Sequence, residues 1–600
     1  MATFKAPTRD IKFVINEVLD FPSHYAALPC GEDATPDMID AILTECAKFC
    51  EEVLSPLNQV GDQQGCTFDN GKVTTPEGFK EAYDQWIAGG WQGLSHPAEY
   101  GGQGLPVSLG LLKSELVGTA NWAWGMYPGL SLGAMNTLYV HGTDEQKMRY
   151  LPKLTSAEWT GTMCLTEAHC GSDLGQMRTR AVPNDDGSYA LTGTKIFISS
   201  GEHDLTDNIV HIVLARTPNA PEGTKGISLF IVPKFHIDED GEMGDFNNVS
   251  CGSIEHKMGI HGNATAVINF DGSKGYMLGA ENDGLACMFT FMNTARVGTA
   301  IQGVAASELA YQNSVPYAMD RYSMRSLSGH KNPDKPGDAI IHHPDVRRML
   351  LTQKAFAEGG RAMLYDAARQ ADIMMYGNSE EDRANADNLL GFVTPILKAF
   401  LTETGIESAN YGMQVYGGHG YIGEHGMEQI VRDARIATLY EGTTGIQAMD
   451  LLGRKVILDG LKLYRSFSKR LYSYGFSILF KRGRSKYGRK LLAHTFRWNR
   501  LCIGLLIRAS RNRDAVGAGS YDFLMISGYI TMAFFWARMA DTALEKLKQN
   551  PEDRAFYEAK LETAEFFFER LLPRAIGHAE AMRGSVGSMM DMPLDHFNVR

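Results

Sequence analysis

Several protein classes are excluded by what this 600-residue sequence lacks. Its nine cysteines, at 30, 46, 50, 66, 164, 170, 251, 287 and 502, form no C-x-x-C pair. An odd count without that spacing speaks against a disulfide framework or a zinc site, and for free thiols in a reducing compartment. Neither H-E-x-x-H nor a P-loop occurs. The opening MATFKAPTRDIKFVINEVLDF has no apolar signal core, and its Asp and Glu argue against a transit peptide. The longest apolar run, FLMISGYITMAFFWA at 523–537, is too short to span a bilayer and reads as a core helix. A cytoplasmic protein is expected. Neither a βαβ alternation nor a short repeat is visible, which excludes doubly wound and solenoid folds. Long polar tracts are missing as well. With 44% hydrophobic and 21% charged residues the composition is globular, and a net charge of −12 argues against nucleic-acid binding by the chain as a whole.

What is present reads as helix, then strand, then helix. After an N-terminal extension (1–36), residues 37–160 read as a helical domain. DMIDAILTECAKFCEEVLSPLNQ (37–59) carries apolar residues at helical spacing and is expected to end at its proline. The nearly all-apolar 107–142 reads as buried helix pairs, preceded by a glycine-rich loop. Short β-branched and aromatic runs at 187–204, 208–217, 226–235 and 265–272 give a small all-β domain over 161–275. Long helical periods at 345–375 and 388–418 give an antiparallel bundle over 281–452, and a further helical domain occupies 460–600. The G-x-G-x-x-G in GHGYIG (418–423) follows a helical pattern rather than a strand, so it is not a dinucleotide fingerprint.

Four segments carry a family resemblance. MCLTEAHCGSD (163–173), GTKIFISSG (193–201), QVYGGHGYI (414–422) and LYEGTTGIQ (439–447) resemble, in order, the two flavin-facing segments, the adenine and pyrophosphate contact and the catalytic segment of acyl-CoA dehydrogenases. The resemblance covers about 160–450 and implies that family's fold: an N-terminal helical domain, a β-barrel and a C-terminal helical bundle, here with an extra C-terminal helical domain. FAD is the implied cofactor. Its implied contacts are Met163, Cys164, Leu165, Thr166, Gly171 and Ser172, then Phe197, Ile198 and Ser199, then Arg321, Ser323, Gln414, Gly417, Gly418 and Thr443. Several of these match contacts made across a subunit interface, so a homo-oligomer, with a dimer favoured, is implied. Ser172, Asn293, Arg296 and Gly442 match the substrate side, and Glu441 matches the catalytic base. Phe197 stands where tryptophan is common and Ser199 where threonine is common, which keeps an aromatic face and a hydroxyl. The N-terminal extension, HHPDVRRMLL (342–351) and the C-terminal extension resemble the 3-methylmercaptopropionyl-CoA dehydrogenase branch, which also contains straight-chain fatty acyl-CoA dehydrogenases.

The residues around Glu441 are compatible with that role. It is the one carboxylate in ATLYEGTTGIQ (437–447). A thioester α-proton is weakly acidic, so its base must be held against it with water kept away. Burial disfavours a carboxylate's charge and makes it a better base near neutrality. The resemblance implies that the Glu441 N–H and an FAD ribityl hydroxyl polarise the thioester oxygen, and that electrons pass on to an electron-transfer flavoprotein. Gly442 lets the chain approach the substrate, and Thr443 or Thr444 can cap the helix that follows. The bland alternatives are a solvated loop acid for Glu441 and a surface salt bridge for Arg296. An acyl-CoA oxidase and a DNA-associated flavoprotein are the functional alternatives.

Residues 461–513 hold fifteen Lys or Arg and no Asp or Glu, leaving −12 − 15 = −27 on the remainder. Aromatics are interleaved. A solvated basic face, a peripheral surface for anionic membrane or CoA phosphates, a nucleic-acid surface and a compensated reading-frame error all produce such a stretch.

Overall fold

The Trp159–Cys164 strand opens a sheet that carries the segments 163–173 and 193–201. The computed structural model describes residues 2–238 and 241–599, which fall into two units. The first contains Cys30–Gly298 with the extreme N-terminus; the second contains Pro7–Pro29 and Thr299–Arg600.

In the first unit, Pro36–Phe49 is capped by the Thr35 hydroxyl. Its helical course does not stop at the proline. It passes through a wider π-type turn (Cys50–Leu54) into Ser55–Gln64, with Pro56 just after the widened turn, where the regular i to i−4 ladder is already interrupted. The apolar stretch after 106 is two helices, Val107–Ala120 and Trp122–His141, separated where the Asn121 side chain accepts from Trp124 N at 3.0 Å. Seven strands form the central sheet in the order Trp159–Cys164, Asn208–Ala215, Ser228–Pro233, Thr265–Met277, Tyr189–Ser199, Arg180–Pro183, with Val249–Ile254 also pairing to Thr265–Met277. The first pair is parallel and the others antiparallel. The sheet curls back on itself, for Ala181 N donates to Arg216 O at 2.8 Å and Arg216 N to Thr179 O at 2.9 Å. Asn208–Ala215 is buried along its whole length. Val210, Ile212 and Leu214 join a core with Met135, Leu138 and Leu151, while Val213 and Ala215 face a second core with Phe230 and Val232. A strand covered on both faces reads as a continuous apolar run, as NIVHIVLA does.

The second unit is helical. Long helices Gly284–Asp320 (from Thr299 on), Pro344–Tyr376 and Glu380–Tyr416 precede the short Met427–Arg435 and Thr444–Met449. Lys462–Leu479, Ser485–Ala509, Asp514–Lys548 and Arg554–Phe566 follow in the same unit. Asp514–Lys548 is its buried centre. Its Gly528 meets Phe400, whose ring would be 2.2 Å from an added Cβ, and Trp536 Nε1 donates to Ala355 O at 3.1 Å. Among the described residues two helical segments, Glu380–Tyr421 (which adds the short turn after Tyr416) and Asp514–Lys548, are long and apolar enough to cross a membrane. The 523–537 run lies within a 35-residue helix, so its own length does not decide against a span, but its burial inside the unit bears out the core-helix reading.

The basic stretch folds as the Lys462–Leu479 and Ser485–Ala509 helices. Each buries an apolar stripe: Tyr464, Phe467, Leu471 and Ile478 on one, Leu491, Trp498, Leu501 and Leu505 on the other. Arg470 forks onto Asp366 at 2.8 and 2.7 Å, and Arg484 pairs with Asp541 and Glu545.

Pro7–Pro29 is held by a buried ion cluster. Asp10 meets both Arg361 and Lys560; Arg361 also reaches Glu308 at 2.8 Å, and Lys560 reaches Glu358 at 2.9 Å. Burial alone would push the Asp10 carboxyl up, but the Lys560 and Arg361 cations outweigh it and hold it down at about 2.

Candidate active site

In the second unit, the Met427–Arg435 helix ends in a tight turn, and Tyr440 N donates to Ile436 O at 3.1 Å. The Tyr440 hydroxyl donates to the Gln302 side-chain oxygen, whose amide donates to Asp433 O at 3.0 Å. The chain then takes two left-handed residues in succession, Glu441 at φ +56° and Gly442 at φ +87°. The glycine adopts this freely; the glutamate does so under strain. Thr443 caps the helix that follows, accepting from Ile446 N at 3.2 Å. Thr444 is not the cap, since its hydroxyl donates to Glu403 at 2.6 Å. Glu441 is half-buried rather than a fully solvated loop acid. Its carbonyl accepts from Gln447 Nε2 at 3.0 Å, and the Gly442 carbonyl accepts from Lys398 Nζ at 2.7 Å.

Gln302, Lys398, Glu403 and Gln447 were not anticipated from sequence. One signal was available. Lys398 is the only charge in VTPILKAFLT (393–402), as Glu441 is in its own segment.

Other expected contacts in this unit are open. Gly417, at φ +60°, and Gly418 are exposed at the end of Glu380–Tyr416, with no atom within 4 Å of an added Cβ. Tyr416 fixes that end by stacking on Tyr317, ring centroids 3.9 Å apart, and donating to Asn313 O at 3.1 Å. Gln414, Arg321 and Ser323 are exposed. Asp338 organises the loop after Arg321, accepting from the backbone of Ser326 at 2.8 Å and of Asn332 at 2.7 Å.

In the first unit, Lys195 and Glu167 pin the segment after Cys164. Lys195 Nζ donates to Leu165 O and to the Glu167 carboxylate, both at 3.0 Å, and Ile196 N donates to Thr166 O at 2.9 Å. Glu167 also accepts from Arg178 N at 2.8 Å and the Thr179 hydroxyl at 2.6 Å. Burial pushes this carboxyl up, but Lys195 and these donors bring it down to about 2. Ligand atoms of Glu167, His169 and Cys170 lie within 4.8 Å of one another, yet a lysine ammonium already provides the cation there.

The sequence-predicted residues of this unit divide by face. Cys164 and Ile198 turn their side chains into the core, and burial pushes the Cys164 thiol up to about 12, so only their backbone can meet a ligand. Phe197 does the opposite. It is 58% exposed and left-handed, at φ +59°. Met163, Leu165, Thr166 and Ser199 are half-buried, and Gly171 and Ser172 are exposed. An outward aromatic face held in strain beside apolar side chains and a hydroxyl-bearing loop fits a planar flavin with its polar arm. Arg296 is buried, 8% exposed, with its guanidinium 5.8 Å from the Phe289 ring and 3.5 Å from Asn293 Oδ1. The surface salt-bridge reading of Arg296 therefore fails on burial.

Comparison with known proteins gives a consistent result. Residues 37–158, 162–273 and 282–456 match the acyl-CoA dehydrogenase N-terminal, middle and C-terminal domains. Residues 479–593 match the acetyl-CoA dehydrogenase C-terminal-like domain. The chain is 44% identical to 3-methylmercaptopropionyl-CoA dehydrogenase of Ruegeria pomeroyi, over 95% of this chain and 96% of that protein. It is 34% identical to the broad-specificity linear acyl-CoA dehydrogenase FadE5 of Mycobacterium tuberculosis, over 99% of each. The fold is similar to that of an acyl-CoA dehydrogenase from Bacillus anthracis complexed with FAD, with a TM-score of 0.74 and 20% identity over 97% of this chain and 92% of that one.

Proposed function

The chain belongs to the acyl-CoA dehydrogenase family, FAD-dependent oxidoreductases acting on CH–CH bonds, and on that premise we propose that it converts 3-methylmercaptopropionyl-CoA to 3-methylthioacryloyl-CoA with Glu441 as base. The substrate reading rests on 44% identity along nearly the whole of both chains, including the terminal extensions. The base reading rests on the single observation that a half-buried carboxylate projects from a strained left-handed residue at the head of a capped helix.

Glu441 takes the Cα proton of the thioester, and its N–H donates to the thioester oxygen as negative charge builds there. Donors that are already in place stabilise that charge without reorganising. Bound FAD supplies the acceptor for the Cβ hydride. Phe197, with the backbone of 163–166 and the hydroxyl of Ser172, would hold the flavin, Thr443 would add a further contact, and Arg321, Ser323, Gln414, Gly417 and Gly418 would reach the flavin of a neighbouring subunit. Arg296 and Asn293 would serve the substrate. Electrons leave for an electron-transfer flavoprotein, and the working unit is a homodimer in the cytoplasm. The 34% identity to a broad-specificity linear enzyme favours one second reading, a straight-chain fatty acyl-CoA dehydrogenase.

An anaerobic titration of the flavin band with 3-methylmercaptopropionyl-CoA and octanoyl-CoA, beside Glu441→Gln, tests the proposal. The wild type bleaches faster with the methylthio thioester, and the variant does not bleach at a measurable rate. Faster bleaching by octanoyl-CoA transfers the assignment to the straight-chain reading. Undiminished bleaching by Glu441→Gln removes Glu441 as base.

A further inference from the structure

A glutamate in the left-handed region must be held there by its surroundings. Two side-chain donors act on the two carbonyls that follow its Cα: Gln447 on that of Glu441, at 3.0 Å, and Lys398 on that of Gly442, at 2.7 Å. Fixing successive carbonyls fixes the Glu441–Gly442 and Gly442–Thr443 peptide planes, which anchors the Glu441 Cα, and the side chain it carries, from its C-terminal side. Lys398 and Gln447 are both fully buried. Lys398 lies on Glu380–Tyr416 between apolar neighbours, and Gln447 lies one helical turn past the Thr443 cap. An ammonium held away from water is costly, and an apolar side chain of equal length would fill the same space without that cost. The bond to the Gly442 carbonyl gives the buried ammonium an acceptor in the segment that carries Glu441. The helix bearing Lys398 is braced at the same place, because Glu403, further along it, receives the Thr444 hydroxyl at 2.6 Å.

The geometry points to Lys398 as a positioning residue for the dehydrogenation, clamping the Gly442 carbonyl so that the Glu441 carboxylate meets the substrate α-proton. This rests on the assignment of Glu441 as base. Lys398 touches neither substrate nor flavin in this role; it acts through the backbone. A base displaced by about 1 Å loses up to about 100-fold in rate.

The test uses Lys398→Met in the flavin-loaded enzyme, with the thioester that bleaches the wild type faster. Bleaching at saturating thioester slows by about 10- to 100-fold, while flavin content and the half-saturating thioester concentration stay at wild-type values. The α-deuterium isotope effect on bleaching rises, because proton removal becomes the slower event; the β-deuterium effect does not rise with it. Wild-type bleaching overturns the inference. So does slowing that leaves the α-deuterium effect unchanged, since a merely structural lysine would behave in that way. Gln447→Leu removes the companion donor at similar volume and carries the same expectation and the same refutation, should Lys398→Met lose its flavin. Undiminished bleaching by Glu441→Gln sinks the base assignment itself, whereas a dead Glu441→Gln beside a full-speed Lys398→Met sinks only the clamp.

Discussion

At the scale of residues, the site turns on the pair Glu441–Gly442. Gly442 sits at φ +87°, and an added Cβ there would come 2.6 Å from Gln447 Nε2. Gly442→Ala therefore meets two penalties: a backbone angle that alanine resists, about 1–2 kcal/mol, and displacement of the amide that holds the Glu441 carbonyl. The variant should fold with a melting temperature only a few degrees lower and bleach at least ten-fold more slowly. Gly445→Ala, whose added Cβ would find only Thr443 Oγ1 at 3.8 Å, is the control and should keep both properties. Equal rates for the two variants would mean that the loop tolerates a shifted Gln447. The glutamate is singled out by the family resemblance of LYEGTTGIQ together with its place as a lone acid among apolar and hydroxyl residues. The same logic applied to Lys398, a lone cation in an apolar helix, but its partner is a backbone carbonyl forty-four positions on. A main-chain acceptor leaves no trace in residue type, so the pairing was not legible.

At the scale of elements, the N-terminal segment depends on charges the sequence scatters. Asp10 meets Arg361 and Lys560, which come from the Pro344–Tyr376 and Arg554–Phe566 helices. Arg361→Met leaves Asp10 and Glu308 short of a buried cation, and a broken buried ion cluster costs about 3–5 kcal/mol. Calorimetry should show that loss, and docking of Ile11, Phe13 and Ile15, all fully buried, should weaken with it. The sign with pH follows from Asp10. Its folded pKa, about 2, lies below the ordinary value of about 3.9 for an unfolded aspartate. Its contribution is therefore full above about pH 4 and is lost as the pH falls through about 2. Asp10→Asn cannot titrate, so the gap in melting temperature between wild type and variant should be widest near neutrality and close across that acid window. A gap that stays constant down to pH 2 would place the stabilisation elsewhere. Helices and strands themselves were largely readable from period, with Pro56 the instructive exception: it lies just after a widened turn, within a helical course it was expected to end.

For the whole molecule, the order of helical, β and helical parts was visible as changes in residue period, because each part is locally continuous. What no local pattern carries is membership of a unit. Pro7–Pro29 groups with Thr299–Arg600, hundreds of positions away, and the helices after 460 share the unit of Glu380–Tyr416. Such grouping depends on which buried faces meet, and period alone does not say. Cofactor binding is the property that tests the molecule as a whole. Phe197, exposed and held at φ +59°, contributes little to the fold without a ligand and pays a conformational cost that flavin contact can offset. A ligand that binds only the folded state raises stability by about 2.7 kcal/mol at a free concentration one hundred times its Kd. Removing FAD should therefore lower the melting temperature by several degrees, and returning it should restore the loss in proportion to the logarithm of its concentration. Restored stability must appear together with recovery of the visible band and of bleaching by acyl-CoA. Stability that never depends on added FAD, in protein that still regains its colour, would mean that the flavin meets folded and unfolded chains alike, and the strained, outward Phe197 would then need another explanation.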